Sequence, residues 1–427
     1  MDELMDRLWH CQDMPAPTSP ASARPADRDG SDSRNARAVP NPARQASIRN
    51  ANLALLYGLI LDAPAPLSRA ALAAATGVTR ATASALADAL LEAGLVAEVS
   101  PPPATGAGRP AAGLVPAADG PAGLGLEINV DYLAACVVDL TGTVRATVIS
   151  PGDQRGRAVP EVLADLADLA RQAEAEAGLT VAGAAVAVPG LVEAPHGRIR
   201  SAPNLVWRDV EIGAELRRAL PEAPFEPVVG NEADFAALAE AHGVGSDPDA
   251  GEGDRDGAGN GANPPPALTD FLYVSGEIGV GAGVILDREL FRGARGWAGE
   301  IGHVTVEPDG AQCRCGARGC LETVAGLEAL RRDRPEAAAS ALGRAAAAAV
   351  NLFDLPAVVL GGVYARPEFA ALVPGVEKAL AEHVVSARWA PVAVHVSRRG
   401  TAAAVTGAAT AVIRRVHADP AAWMAAR

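Results

Sequence analysis

"GEIGHVTVEPDGAQCRCGARGCLET", residues 299–323, packs three of the chain's five cysteines into the eight positions 313–320 and sets His303 ten residues before the first of them. His303, Cys313, Cys315 and Cys320 make one imidazole and three thiols, the ligand set of a closed tetrahedral zinc site. Gly316 and Gly319 permit the tight backbone turn that brings the sulfurs together. Four protein ligands leave no open position for water or substrate, so the expected zinc is structural and not hydrolytic. Two other readings stay open. One is a catalytic thiol, which three competing neighbours and the lack of an evident base with its orienting partner disfavour; the other is reduced cysteine without metal. Cys11, in a polar N-terminal stretch, and Cys136, in an apolar one, have no expected role.

Two carboxylates flank the motif. Glu300 precedes His303 by three residues and Glu322 follows Cys320 by two. A metal-pinned loop holds both rigidly, and carboxylates working beside asparagine amides are suited to accept the hydroxyl protons of a sugar.

The whole chain has 427 residues, 49% of them hydrophobic, enough for two or three compact units. Its net charge of −14 argues against non-specific coating of nucleic acid or anionic membrane, but not against a small DNA-reading module with its own local charge. No apolar run reaches the ~18–20 residues of a membrane span. The opening "MDELMDRLWH" lacks the apolar core of a signal peptide. A cytoplasmic protein with no membrane partner is expected, and in that reducing setting clustered cysteines are metal ligands before they are disulfides.

Residues 1–43, rich in Pro, Ala, Ser, Arg and Asp, read as a disordered tail. Residues 244–267, "VGSDPDAGEGDRDGAGNGANPPPA", read as a flexible surface insertion. Between them, residues 44–118 have the order of a winged helix-turn-helix. "IRNANLALLYGLIL" has helical apolar spacing, Ser68 caps "RAALAAAT" before Gly77, and Thr79 opens "RATASALADALLEAG". "LVAEV" and "AAGLVP" then flank "SPPPATGAGRP" as two strands with a wing tip. A recognition helix needs a short, polar first turn, which Thr79, Arg80, Thr82 and Ser84 supply. Ser68 and Arg69 are placed to meet phosphates, and Arg109 at the wing tip suits the negative minor groove. The expected partner is a double-stranded DNA operator. A helical oligomerisation unit is the competing reading of the same pattern.

From residue 119 to 427 strands and helices alternate, as in "GLGLEI", "LAACVVDL" and "TVRATVIS", a helix near 159–176, then "AGAAVAVPG". Two α/β lobes are the natural packing of that series.

With "PNLVW" at 203–207 and "VVGNEADFAALAE" at 228–240, the opening stretch resembles the signature of the ROK family (repressors, open reading frames and kinases). The resemblance covers residues 47–417 apart from the insertion. It implies two actin-like, ribonuclease H-like α/β lobes with a sugar cleft between them, in a homodimer or homotetramer. A preceding winged helix-turn-helix implies the transcriptional-regulator branch, with a small sugar or sugar derivative as effector. Carried over, the sugar contacts are Asn204, Asn231, Glu232, Glu300, His303 and Glu322, so that His303 serves both the zinc and the sugar. Specificity is expected to lie near residues 189–201 and Trp207.

Kinases of the family use an Asp after that Asn as base, a Gly-Gly-Thr turn and a second Gly/Thr loop. Here Glu232 stands at the base position, Asn129, Val130 and Asp131 replace the turn, and Glu277 and Ile278 replace the second pair. An extra methylene displaces the base, and added carboxylates repel a triphosphate. A DNA-binding, sugar-responsive regulator without catalytic residues is therefore expected, most simply a repressor of carbohydrate-metabolism genes. An ATP-dependent sugar kinase with an appended DNA-binding domain is the alternative.

Overall fold

Three helices open the described chain: α1 (Pro42–Leu61), α2 (Arg69–Thr76) and α3 (Arg80–Glu92). A two-stranded antiparallel sheet follows, β1 (Val96–Val99) with β2 (Gly113–Pro116). The computed structural model describes residues 42–100, 112–193, 197–220, 225–242, 268–332 and 335–426. Residues 1–41 of the tail, the wing tip with Arg109, and the insertion at 244–267 lie outside the described residues. Helix α1 starts at Pro42, just inside the segment read as tail.

Periodicity explains the helical unit. Leu53, Leu56, Tyr57 and Ile60 of α1, and Ala83, Leu86, Ala87 and Leu90 of α3, recur at i, i+3, i+4, i+7 and fill one core. Ser68 and Thr79 cap α2 and α3, accepting from the backbone N–H of Ala71 and Thr82. Gly77 ends α2 in the left-handed conformation.

Next come β3 (Ala122–Ile128), β4 (Tyr132–Val138), β5 (Val144–Pro151), α4 (Val159–Ala177) and β6 (Val181–Val188). A small antiparallel sheet of β7 (Leu191–Glu193), β8 (Arg198–Ala202) and β9 (Trp207–Glu211) precedes α5 (Ile212–Ala219), β10 (Val228–Asn231) and α6 (Glu232–Ala241). The second lobe holds β11 (Phe271–Gly276), β12 (Val280–Leu286), β13 (Glu289–Leu290), α7 (Glu322–Ala325), α8 (Leu327–Arg332), α9 (Pro335–Phe353), β14 (Ala357–Gly362), α10 (Leu372–His383) and β15 (Ala393–Val396). Helices α11 (Ala403–Ala418) and α12 (Pro420–Ala425) close the chain.

Both five-stranded sheets have one topology. Strand orders β5-β4-β3-β6-β10 and β13-β12-β11-β14-β15 each place an antiparallel meander beside two parallel additions. Strand period sorts the faces. On β3, Leu124, Leu126 and Ile128 join the core under α4, while Gly123, Gly125 and Glu127 face α11. On β11, Leu272 and Val274 enter the core under α9 and α10, while Phe271 and Tyr273 pack toward α6 and α11. Helices α6 and α11 thus lie between the sheets. Their approach is close enough that a Cβ on Gly407 would overlap the Phe235 carbonyl oxygen.

The chain divides at Ala46/Ser47, and everything from Ser47 onward is one compact unit. The boundary read at 118/119 is bridged by a shared core: Leu140, Ile413 and Val416 join the apolar cluster of the helical unit.

Candidate functional site

The metal-ligand candidates converge. One donor atom from each of His303, Cys313, Cys315 and Cys320 lies within 4.8 Å of all the others. Cys313 Sγ is 3.7 Å from His303 Nδ1, and Cys315 Sγ is 3.7 Å from Cys320 Sγ. A disulfide requires about 2.05 Å. The edges of a zinc tetrahedron built on Zn–S bonds of about 2.3 Å are about 3.8 Å. The loop's turn depends on Gly319, at φ 65°, where a Cβ would run into the Glu307 carbonyl oxygen. With Nδ1 facing the sulfurs, His303 Nε2 is turned to Glu300 Oε2 at 4.0 Å.

The expected sugar contacts gather at the cleft from both lobes. Glu322 opens α7, and its Oε2 lies within 2.6 Å of where a Gly279 Cβ would stand, with Asn204 Nδ2 3.9 Å from the same point. Asn204, from the turn between β8 and β9, accepts a hydrogen bond from Arg314 Nη1 at 3.0 Å. Arg314 stands between two of the clustered cysteines, so the thiol loop touches the first lobe directly. Asn231 is already engaged as the cap of α6: its Oδ1 accepts from Ala233 N–H at 2.8 Å and its Nδ2 donates to Gly190 O at 3.0 Å.

Glu232, the next residue, has a buried Oε2 with no hydrogen-bond partner. Desolvation holds its carboxyl well above the ordinary range, and the charges of Glu127, Glu277 and Glu300 push it the same way. Glu300 is raised by burial, opposed by His303 and reinforced by Glu322. Trp207, expected near the specificity loops, is instead a core residue, 5% exposed, whose Nε1 donates to Arg157 O.

Three carboxylates escaped the site reading of the sequence or carried a lesser role in it. Glu127 is 2% exposed and accepts from Tyr132 Oη at 2.7 Å. Burial pushes it up to about 7, against the lowering effect of hydrogen bonds from Tyr132 and Asn129. Burial likewise pushes Glu277 up to about 7. Asp234, also buried, is raised to about 7 by desolvation although Arg292 opposes the shift. An acidic residue inside the apolar run "GLGLEI" is the signal that marks Glu127. Asp131, expected to face phosphates, is paired with Arg155 at 3.0 Å, although its charge still reaches Glu277.

On the helical unit, Arg80 and Thr82 are exposed at the first turn of α3 and Ser84 is half-buried. The hydroxyls of Thr79 and Thr82 lie 2.9 Å apart. Arg69, expected to meet phosphates, has partners within the unit. Its guanidinium pairs with Asp88 at 2.7 Å and with Glu98, so its charge is already met inside the unit. Among the described residues, no helix is long and apolar enough to cross a membrane.

Residues 123–249 and 266–336 match the family model described as "ROK family". The xylose repressor of Bacillus subtilis strain 168 is 30% identical over 298 residues, 68% of this chain and 70% of that protein. A solved ROK family transcriptional regulator, described as a homologue of the E. coli MLC protein, superposes with a TM-score of 0.69 at 24% identity, covering 89% of this chain and 99% of that one. The ROK hexokinase of Thermus thermophilus superposes at 0.55 with 28% identity, over 69% of this chain and 99% of that one. The paired five-stranded lobes, the His/Cys loop at their cleft and these likenesses lead to one conclusion: the chain belongs to the ROK family.

Proposed function

We propose that this chain is a sugar-responsive, DNA-binding repressor whose kinase-like lobes sense an effector and do not transfer phosphate. The observation that carries the reading is the crowding of Glu127, Glu232 and Glu277, three carboxylates lining the crevice between the lobes. A triphosphate and its transition state need donors and cations there. Carboxyl groups in place of those donors leave phosphate oxygens without partners and, when ionised, repel them.

In this reading residues 44–118 are a winged helix-turn-helix and the two lobes are of the actin-like, ribonuclease H-like kind. Arg80, Thr82 and Ser84 read the major groove of an operator, the capping Thr79 orients them, and Ser68 and Arg109 meet the backbone or minor groove. Asn204, Glu232, Glu300, His303 and Glu322 bind the sugar, with Asn231 supporting Glu232 as the cap of α6. A structural zinc on His303, Cys313, Cys315 and Cys320 would fix the imidazole and hold Glu300 and Glu322 at the rim. A homodimer or homotetramer pairs the DNA-reading units on two half-sites. The xylose repressor likeness supports the repressor reading, and the hexokinase likeness keeps the catalytic alternative testable.

A coupled ATP-consumption assay over hexoses, pentoses and N-acetylhexosamines separates them. No turnover above the protein-free blank is expected. Sugar-dependent ATP consumption would overturn the non-catalytic part of the reading.

A further inference from the structure

We propose that the crevice between the lobes takes the protonated amine of the effector, making the preferred effector a basic sugar, such as an amino sugar, rather than a neutral one. The inference rests on the sugar-sensing reading and narrows the ligand it admits.

The crevice has a cavity volume of about 20 Å³, room for a group the size of an ammonium, and is lined by Glu127, Glu232 and Glu277 with Asn129, Tyr132 and Ser275 among its polar groups; among the described residues no Lys, Arg or His lines it. Glu127 is the decisive residue. It is 2% exposed, its Oε1 takes the bonds from Tyr132 at 2.7 Å and Asn129 at 3.4 Å, and its Oε2 is buried without a partner of hydrogen-bond geometry, the Val405 backbone exerting only a further lowering effect on the carboxyl. Glu232 has a second partnerless buried oxygen. Glu277 lines the crevice from the other lobe, and the field of Arg366 opposes the effect of its burial. Buried carboxylates need a positive partner or a proton. The raised proton affinities of Glu127 and Glu277 agree with a site lacking its cation.

Three ligand chemistries compete for such a crevice. A phosphate is repelled. A bare metal ion needs tightly converging donors, and among the described residues the His/Cys loop is the set whose donor atoms gather within 4.8 Å. An ammonium group has three donors and no acceptor, and it matches an array of acceptors. Glu232 ties the crevice to the sugar contacts, since it lines the crevice beside Glu127 and Glu277 and is itself one of the sugar contacts proposed above. A sugar held at the rim therefore extends one substituent inward. An ammonium there would bridge Glu127 and Glu232 of the first lobe to Glu277 of the second and draw the lobes together.

Calorimetric titration of the full chain at pH 7 tests this with D-glucose, 2-amino-2-deoxy-D-glucose, 6-amino-6-deoxy-D-glucose and N-acetyl-D-glucosamine, alongside magnesium and calcium alone. At least one free amine should bind tenfold or more tighter than glucose, and acetylation should abolish the gain. Glu127→Gln with Glu277→Gln should remove the amine preference and keep the affinity for the neutral sugar. Glu277→Gln alone serves if the double variant does not fold. Equal or weaker binding of every amine relative to its neutral counterpart would overturn the inference and leave sugar sensing intact. Millimolar magnesium or calcium stabilising the parent chain, but not the variant, would overturn it in favour of a metal site. Binding of none of these sugars, charged or neutral, would count against sugar sensing itself and take the inference with it.

Discussion

At the scale of single residues, partners decide roles that type alone does not. Arg69 and Arg80 stand eleven positions apart and both looked suited to DNA. Arg69 is held by Asp88 and Glu98, whereas Arg80 is exposed at the first turn of α3. Arg80→Ala should weaken operator binding and relax base preference at one position, by about 1–3 kcal/mol. Arg69→Ala should leave base preference unchanged and lower stability by about 1 kcal/mol or less, as for other partly exposed pairs. Gel-shift titrations on a set of mutated operators, with melting curves, check both; a specificity change in Arg69→Ala would contradict the assignment. The residues hardest to read from sequence were those whose meaning is burial. Asp234 looks like an ordinary acid in a string, and even Glu127, marked by its apolar run, becomes costly only through the packing of α6 and α11 between two sheets.

At the scale of elements, most of the fold was legible. The helices of the N-terminal helical unit follow apolar spacing and capping residues, and the strands of both lobes follow continuous apolar runs. The small sheet β7–β9 was not, because its strands are short and carry charged residues such as Arg198 and Arg200 that pair across strands with Glu211, Glu193 and Asp209. The thiol loop was the most legible element, since three cysteines and a histidine admit few geometries. Cys315→Ser should reduce bound zinc, measured by metal analysis, and weaken sugar binding at least tenfold, because Glu300 and Glu322 lose their support. The helical unit, whose core takes no residue from the thiol loop, should keep its helicity. A metal-free variant with unchanged sugar affinity would show that the loop does not position the cleft.

At the scale of the whole molecule, α11 joins the two functions. Ala403 and Ala404, at its start, line the crevice, and Ile413 and Val416, near its end, sit in the core of the helical unit. Any movement of the lobes that shifts this one rigid helix also shifts the helical unit, which, in the DNA-reading role proposed for it, is the physical form that reciprocal coupling requires. The junction includes His417, edge-on to Tyr57 at 5.6 Å and held down to about 4 by burial. Its folded value lies below the ordinary one, so the stability it contributes is complete above about pH 6.5 and fades as pH falls toward 4. Between pH 6.5 and 4.5 the melting temperature should drop more steeply in the parent than in His417→Gln. Parallel slopes would exclude His417 as the source.

The central claim is that one molecule exchanges DNA for sugar without chemistry. Fluorescence anisotropy of a labelled duplex from upstream of its own gene, titrated with the full chain with and without each candidate sugar, measures that exchange directly. The account predicts tight binding in the absence of sugar and at least a tenfold loss of affinity with the effector, ATP being absent throughout. Affinity unchanged by every neutral and amino sugar, or a response that appears only when ATP is supplied, would contradict it.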